Sequence, residues 1–260
     1  MKIAISGKGG VGKTLLAAML SKTFAESGYS VLAIDADPDA NLAATLGFHH
    51  AEQIIPISEM SDLIEERTGV KPGQSAPYFK LNPKVDDIPE KYALKQNGIR
   101  LMIMGRIKKG GTGCYCPENA LLKTLMNHLL VARNEVIIMD MEAGIEHLGR
   151  STARMVDELI VVIEPGRRSI ETALNIQKLA KEIDLQNVAL VGNKVRNQSD
   201  REFLVSSLPG LEFLGFIPYD QAIVDADLNN LSILDSSQQI MTAVRDIYQA
   251  LLPTEKLEIK

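Results

Sequence analysis

Short runs of Ile, Val and Leu alternate along the chain with longer segments in which apolar residues recur at helical spacing. The short runs lack strict polar alternation, which is typical of strands buried on both faces of a parallel sheet. They predict strands at Lys2–Ser6, Val31–Asp35, Ile99–Met104, Val136–Asp140, Leu159–Glu164, Val188–Asn193 and Phe213–Ile217. The longer segments predict helices, among them Leu15–Ser27, Glu118–Ala132, Ile170–Glu182 and Gln238–Leu251. This alternation indicates an α/β fold, with a doubly wound, mostly parallel sheet flanked by helices.

The alternation is interrupted between about residues 47 and 98. This part contains a predicted helix at Ile57–Arg67, followed by the proline-rich stretch "KPGQSAPYFKLNPKVDDIPEKY". No low-complexity tract flanks it, so we expect an irregular and helical insertion within one domain that spans residues 1–260.

Composition narrows the function classes. Of the 260 residues, 45% are hydrophobic and 23% are charged, as in an ordinary globular protein. The net charge of −5 and the scattered basic residues argue against a nucleic-acid partner. No apolar stretch approaches the ~20 residues needed to span a bilayer, and glycines interrupt the first apolar run before a signal peptide could form. Two cysteines are too few for a disulfide-stapled secreted domain, so we expect a cytoplasmic protein that does not act on membranes.

The segment "ISGKGGVGKTLLA" has the spacing of a phosphate-binding P-loop. Gly7, Gly12, Lys13 and Thr14 match G-x-x-x-x-G-K-[ST], between a predicted strand and a predicted helix. The glycines let backbone N–H groups surround phosphate oxygens, and the helix N-terminus adds its dipole. Lys13 would contact the β- and γ-phosphates and the Thr14 hydroxyl would ligate Mg²⁺. The predicted ATP-binding residues of this loop are Gly9, Gly10, Val11, Gly12, Lys13, Thr14 and Leu15.

Both cysteines, Cys114 and Cys116, lie in the glycine-rich stretch "KKGGTGCYC". Pro117 suits the first position of a helix, which places Cys116 near the N-cap, where the helix dipole favours a thiolate. The pair could be inert, could form a strained disulfide, or could bind a metal. Zn²⁺ and Ni²⁺ each require four ligands, whereas one chain supplies two thiolates. A twofold axis beside the loop would complete the site.

The loop K-G-G-x-G-K-T, with the additional Lys8, resembles that of the deviant Walker A ATPases. This superfamily of P-loop NTPases (SIMIBI type) includes the nitrogenase iron protein, MinD and ParA relatives, and metallochaperone ATPases. The resemblance implies that Lys8 crosses a dimer interface to the partner's nucleotide, so that ATP binding drives dimerisation. The pattern K-K-G-G-x-x-C-Y-C-x-E-N, with "MDMEAGIEH", "IEPGRRSI" and "NKVRN", is similar to that of the CooC-type nickel-insertion ATPases. This similarity extends from Met1 to the helix that contains Asp246.

The resemblance also assigns the remaining site residues. Asp35 and Asp37 would lie in switch I, with Asp37 as the main residue that orients the attacking water. Asp140 would be the Walker B carboxylate, followed by switch II at Ala143 and Gly144, and the role of Glu142 stays open. Asn193 would read the adenine edge. The predicted base-binding residues are Asn193, Lys194 and Pro218.

For the protein as a whole, the resemblance implies a homodimeric ATPase. It would hold Ni²⁺ or Zn²⁺ between the subunits and deliver nickel to carbon monoxide dehydrogenase or acetyl-CoA synthase. Two alternatives stay open. A bridging iron–sulfur cluster would make the chain an electron donor, although the nitrogenase iron protein draws its cysteines from separate segments. A MinD- or ParA-like positioning ATPase is the other alternative, and it leaves the two cysteines unexplained.

Overall fold

The apolar runs form the strands of one central sheet. A computed structural model describes residues 1–72, 78–105, 117–132, 135–142, 153, 155–229 and 231–252. Within these residues the strands are β1 (Lys2–Gly7), β2 (Val31–Ala36), β3 (Leu94–Gln96), β4 (Ile99–Ile103), β5 (Val136–Met141), β6 (Glu158–Ile163), β7 (Val188–Val195) and β8 (Glu212–Pro218). Their order across the sheet is β3-β4-β2-β5-β1-β6-β7-β8. All pairings are parallel except that of β3 with β4. The predicted fold class is therefore confirmed.

Helices cover both faces of the sheet. They are α1 (Lys13–Glu26), α2 (Leu42–Thr45), α3 (Ser61–Thr68), α4 (Ile88–Tyr92), α5 (Pro117–Ala132), α6 (Arg167–Glu182), α7 (Gln198–Ser207), α8 (Gln221–Leu228) and α9 (Gln238–Leu251). One hydrophobic cluster joins α3, α5 and α6 to the sheet, and another joins α1 and α9 to its opposite face. Helix α5 begins at Pro117, as the sequence predicts.

Strand β3 is an addition to the predicted sheet. It pairs antiparallel with β4, and Gln96 lies opposite Ile99 across the turn formed by Asn97 and Gly98. Both turn residues have positive φ, 50° and 76°, which the Asn-Gly pair favours in a two-residue hairpin turn. That dipeptide was the available sequence signal for the hairpin.

The predicted helix at Ile57–Arg67 is divided in two. A 3₁₀ helix at Ile57–Glu59 precedes α3, because Met60 has a non-helical ψ of 79°. The Ser58 N–H donates to the Met104 carbonyl oxygen at 3.1 Å, so this turn is bound to the end of β4.

The buried Arg67 of α3 forms two hydrogen bonds of 2.8 Å with the Asp87 carboxylate. This pairing lowers the pKa of the Asp87 carboxyl and connects two parts of the insertion.

The parallel arrangement brings the candidate residues to one edge of the sheet. Gly7, Asp35, Asp140 and Asn193 lie at or near the carboxyl ends of β1, β2, β5 and β7. Ligands of open α/β sheets bind at this edge, where the loops from neighbouring strands converge.

Candidate nucleotide-binding site

The P-loop connects β1 to α1 in a tightly packed conformation. Gly12 precedes the first residue of α1 with φ of 98°. A Cβ atom at this position would clash with the Asn193 side-chain nitrogen, so the position requires glycine both for its backbone and for space. The Asn193 amide donates to the Val11 carbonyl oxygen at 2.6 Å. The loop is therefore held against β7.

Lys13, the predicted phosphate-binding cation, lies almost buried at the start of α1. Only 7% of its side chain is exposed, and its Nζ lies 4.0 Å from the nearer Asp37 carboxylate oxygen. A buried ammonium at a helix N-terminus is a strong site for the negative charge of a nucleotide.

Thr14 and Asp140 form a pair that fits a bound Mg²⁺ ion. The Thr14 hydroxyl donates to Asp140 Oδ2 at 2.6 Å. Among the described residues, the fully buried Oδ1 of Asp140 has no hydrogen-bond partner. Burial raises the pKa of the Asp140 carboxyl to about 7, because few groups compensate its charge. Hydroxyl and carboxylate oxygens are the ligands that Mg²⁺ prefers, so a cation bound here would satisfy the orphaned atom.

Asp35 and Asp37 occupy different environments. Asp35 is buried, and its carboxylate accepts the Asp37 N–H at 3.2 Å and the Leu42 N–H at 2.9 Å. Burial nevertheless raises the pKa of the Asp35 carboxyl to about 6. Asp37 is partly exposed and faces Lys13. This geometry favours Asp35 as the residue that shapes switch I and Asp37 as the one available to a water molecule.

The start of switch II is only partly described. The Ser6 hydroxyl donates to the Glu142 carbonyl oxygen at 3.1 Å, which fixes the backbone just beyond Asp140. Ala143 and Gly144 lie outside the described residues.

A cavity of about 290 Å³ lies beside the P-loop. The residues that line it include the predicted Gly12, Leu15, Asn193, Lys194 and Pro218. Ile223, Val224 and Ile240 of α8 and α9 add apolar walls that the sequence pattern did not identify as part of a site. A mostly apolar cavity with a few polar groups suits a nucleotide base.

Lys8 and Lys194 meet at Glu164, which follows β6. The Lys8 Nζ lies 3.4 Å from Glu164 Oε1, and the Lys194 Nζ lies 3.1 Å from Oε2. The Lys194 Nζ also donates to the Gly10 carbonyl oxygen at 2.7 Å. Sequence reasoning missed Glu164, although its place at the end of a buried strand on the ligand-binding edge was a usable signal.

Cys114 and Cys116 lie outside the described residues. Residues 104 and 105, which lead towards them, are well fixed: the Met104 N–H donates to the Asp35 carbonyl oxygen at 2.8 Å. The described part of the chain contains no group of three or more His, Cys, Asp or Glu side chains arranged to hold a metal.

The sheet order, the P-loop and the strand-end carboxylates define a P-loop nucleoside triphosphatase. Residues 2–233 match the model of the CobQ/CobB/MinD/ParA nucleotide binding domain family. The chain is 44% identical to the carbon monoxide dehydrogenase accessory protein CooC of Rhodospirillum rubrum, over 97% of this chain and 96% of that protein. The chain therefore belongs to the CobQ/CobB/MinD/ParA family and, within it, to the CooC-type ATPases. It is an ATPase.

Other comparisons agree with an ATP-binding protein of this fold. The chain is 47% identical to an uncharacterized ATP-binding protein of Methanocaldococcus jannaschii, over 87% of this chain and 88% of that protein. The fold matches that in the MinC:MinD cell division protein complex of Aquifex aeolicus with a TM-score of 0.69, at 24% identity and 98% coverage of both chains. A ParA family ATPase of Chlorobium tepidum gives a TM-score of 0.66 at 18% identity, over 96% of this chain and 98% of that chain.

In the described part of the chain, no helix combines the length and apolarity that crossing a bilayer requires.

Proposed function

We propose that the chain is a homodimeric, ATP-dependent metallochaperone that inserts nickel into the active-site cluster of carbon monoxide dehydrogenase or acetyl-CoA synthase. The observation that carries this proposal is the 44% identity, over nearly the whole of both chains, to a carbon monoxide dehydrogenase accessory protein. The cargo is Ni²⁺, with Zn²⁺ as the competing ion. Cys114 and Cys116 of each subunit would supply four thiolates, which is a complete ligand set for either metal.

ATP hydrolysis would use the residues at the carboxyl edge of the sheet. Backbone N–H groups of residues 9–15 and the Lys13 ammonium bind the phosphates. Thr14 and Asp140 would hold Mg²⁺, which would supply positive charge beside the phosphates. Asp37 orients a water molecule whose oxygen attacks the γ-phosphorus as the bond to the β–γ bridging oxygen breaks. ADP leaves, and the water's proton passes to solvent or to the phosphate.

Dimerisation is the step that links the two sites. Lys8 is partly exposed on the P-loop, 38% by side-chain area, so it is accessible to a second subunit. Its contact with the partner's nucleotide would make the dimer ATP-dependent. The same twofold axis would bring the two cysteine pairs together, so closing the dimer and completing the metal site become one event.

The metal site is tested by replacing both cysteines. We expect the Cys114→Ala, Cys116→Ala double variant to lose stoichiometric Ni²⁺ binding, measured by equilibrium dialysis, while its ATPase rate stays within about threefold of wild type. Tyr115→Phe, which changes the same loop but keeps both thiols, is the matched control and should bind one Ni²⁺ per dimer. Unchanged metal stoichiometry in the double variant would contradict the proposal.

The iron–sulfur alternative is separated by the anaerobically purified protein. A colourless protein that binds one Ni²⁺ or Zn²⁺ per dimer supports the metallochaperone. A brown protein that contains iron and acid-labile sulfide, and that loses both in the cysteine double variant, would instead identify a bridging cluster and an electron donor.

A further inference from the structure

Glu164 belongs to a cluster of three charged side chains, each of which lies at or just beyond the end of one of three neighbouring parallel strands. β1 leads to Lys8 in the P-loop, β6 leads to Glu164, and β7 contains Lys194. The two carboxylate oxygens of Glu164 are divided between the two lysines, at 3.4 Å and 3.1 Å. Each subunit thus contains its own acceptor for Lys8, the residue expected to cross to the partner.

The Lys194 half of this cluster is firmly anchored. The backbone of Lys194 has a φ of 56°, a conformation that residues other than glycine rarely adopt. Its N–H donates to the Asn193 side-chain oxygen at 2.8 Å, and its Nζ donates to the Gly10 carbonyl oxygen. The Glu164 backbone is fixed as well, because its N–H donates to the hydroxyl of the buried Ser169 at 3.1 Å. Glu164 therefore keeps one lysine when the other departs.

The Lys8 half is weaker. Its distance of 3.4 Å is longer than the 3.1 Å of the Lys194 pair and than the usual charge-assisted hydrogen bond, and Lys194 also has the Gly10 carbonyl oxygen as a partner. Both pairs are open to solvent, with 38% of the Lys8 side chain and 42% of the Lys194 side chain exposed. Ion pairs with this much solvent contact hold weakly. A triphosphate has more negative charge than one carboxylate. It can therefore replace Glu164 as the ion-pair partner of the Lys8 ammonium group.

We propose that Glu164 is a positioning residue that holds Lys8 against its own subunit and must release it when the ATP-bound dimer forms. This inference rests on the proposed function, in which Lys8 contacts the partner's nucleotide. Glu164 then opposes dimerisation in the absence of ATP. It also determines the ATP concentration that is needed for the dimer to form. Lys194 keeps the released carboxylate paired, so closure leaves no isolated charge in the site.

The test is Glu164→Gln, which removes the negative charge and keeps the side-chain size. Releasing two weak ion pairs, one per subunit, should lower the dimer dissociation constant with ATP by roughly 2- to 30-fold in sedimentation equilibrium. The matched control Glu171→Gln removes the same charge from an exposed position of α6 and should leave that constant unchanged. Equal thermal unfolding midpoints for the variant and wild type would show that folding is intact.

A double-mutant cycle distinguishes the two ways to fail. If Glu164→Gln alone tightens the ATP-bound dimer, while Lys8→Ala abolishes ATP-dependent dimerisation whether or not Glu164 is also replaced, the proposal is supported. If Lys8→Ala abolishes it while Glu164→Gln alone equals wild type, or weakens the dimer, the role of Glu164 is wrong and the proposed function stands. If Lys8→Ala dimerises with ATP as wild type does, the expected role of Lys8 fails and the role of Glu164 fails with it.

Discussion

Asp35 and Asp140 occupy equivalent positions at the ends of adjacent strands, yet they differ in how their charge is compensated. In register, Asp35 lies opposite Asp140 where β2 pairs with β5. Asp35 accepts two backbone N–H groups. Asp140 instead accepts the Thr14 hydroxyl through Oδ2, and within the described residues its Oδ1 has no hydrogen-bond partner. An internally satisfied carboxylate shapes the loop, and a half-satisfied one is suited to a cation. Sequence alone shows only that each strand ends in Asp.

A titration on the opposite edge of the sheet gives a residue-scale prediction. Burial, with Glu212 and Asp157 nearby, raises the pKa of the Glu158 carboxyl from 4.5 to about 7. The native state therefore holds this proton more tightly than the unfolded state, so stability present below pH 4.5 is lost as pH rises towards and through 7. We expect Glu158→Gln to raise the unfolding midpoint by about 1–3 °C at pH 8, measured by calorimetry, with the gain vanishing near pH 4.5.

The control for this titration is Asp246→Asn, which makes the same charge change at an exposed position of α9. Its effect on the unfolding midpoint should be small and should not follow the same pH window. If Glu158→Gln gives equal gains at pH 4.5 and pH 8, burial of the charged form is not the cause of the effect.

At the scale of elements, the sequence predicts best what burial on both faces determines. The ends of the seven predicted strands lie within about two residues of those observed, because their continuous apolar runs have no other stable location. The pattern did not identify α7 and α8, which have few buried residues. Their N-cap side chains, Asn197 and Asp220, each accept a backbone N–H and were the remaining sequence signals.

The candidate site also has one part that can be predicted from the sequence and one part that cannot. A local motif such as the P-loop can be predicted from residue spacing alone, because its function depends on one continuous segment. The cluster of Lys8, Glu164 and Lys194 joins residues up to 186 positions apart, and its existence depends on the strand order. The order β1-β6-β7 is a property of the folded sheet, so sequence spacing could not reveal it.

The approach to the cysteine loop gives an element-scale prediction. Gly105 has a φ of 77°, and a Cβ atom there would overlap the Ser58 hydroxyl and lie 2.7 Å from the Pro56 Cβ. We expect Gly105→Ala to lower the free energy of unfolding by about 2–4 kcal/mol, measured by urea denaturation, because strain and overlap add. Gly210→Ala, at φ of 80° with open space around it, should cost only about 1–2 kcal/mol. Equal losses of unfolding free energy in the two variants would show that the 3₁₀ helix at Ile57–Glu59 shifts to accept the added methyl group and that the overlap contributes nothing.

For the whole molecule, the central question is how the nucleotide site would act on the proposed metal site at Cys114 and Cys116. The Asp35 carbonyl oxygen accepts the Met104 N–H, and the Asp35 carboxylate accepts the Asp37 N–H. The segment predicted as switch I and the strand that precedes Cys114 and Cys116 along the chain are therefore joined through Asp35. A change at Asp37 on ATP binding or hydrolysis has a direct structural connection to residues 104 and 105.

A hydrolysis-deficient variant shows which event changes metal affinity. Asp37→Asn should lower the rate constant of hydrolysis by about 100-fold or more while ATP still binds, because an uncharged amide orients the attacking water poorly. The trapped dimer should persist with ATP in sedimentation experiments, whereas the exposed neighbour variant Asp39→Asn should turn over at nearly the wild-type rate. Ni²⁺ retained by the trapped dimer assigns metal release to hydrolysis, and Ni²⁺ lost on ATP addition assigns it to dimer closure. Wild-type hydrolysis by Asp37→Asn would remove Asp37 from the proposed mechanism.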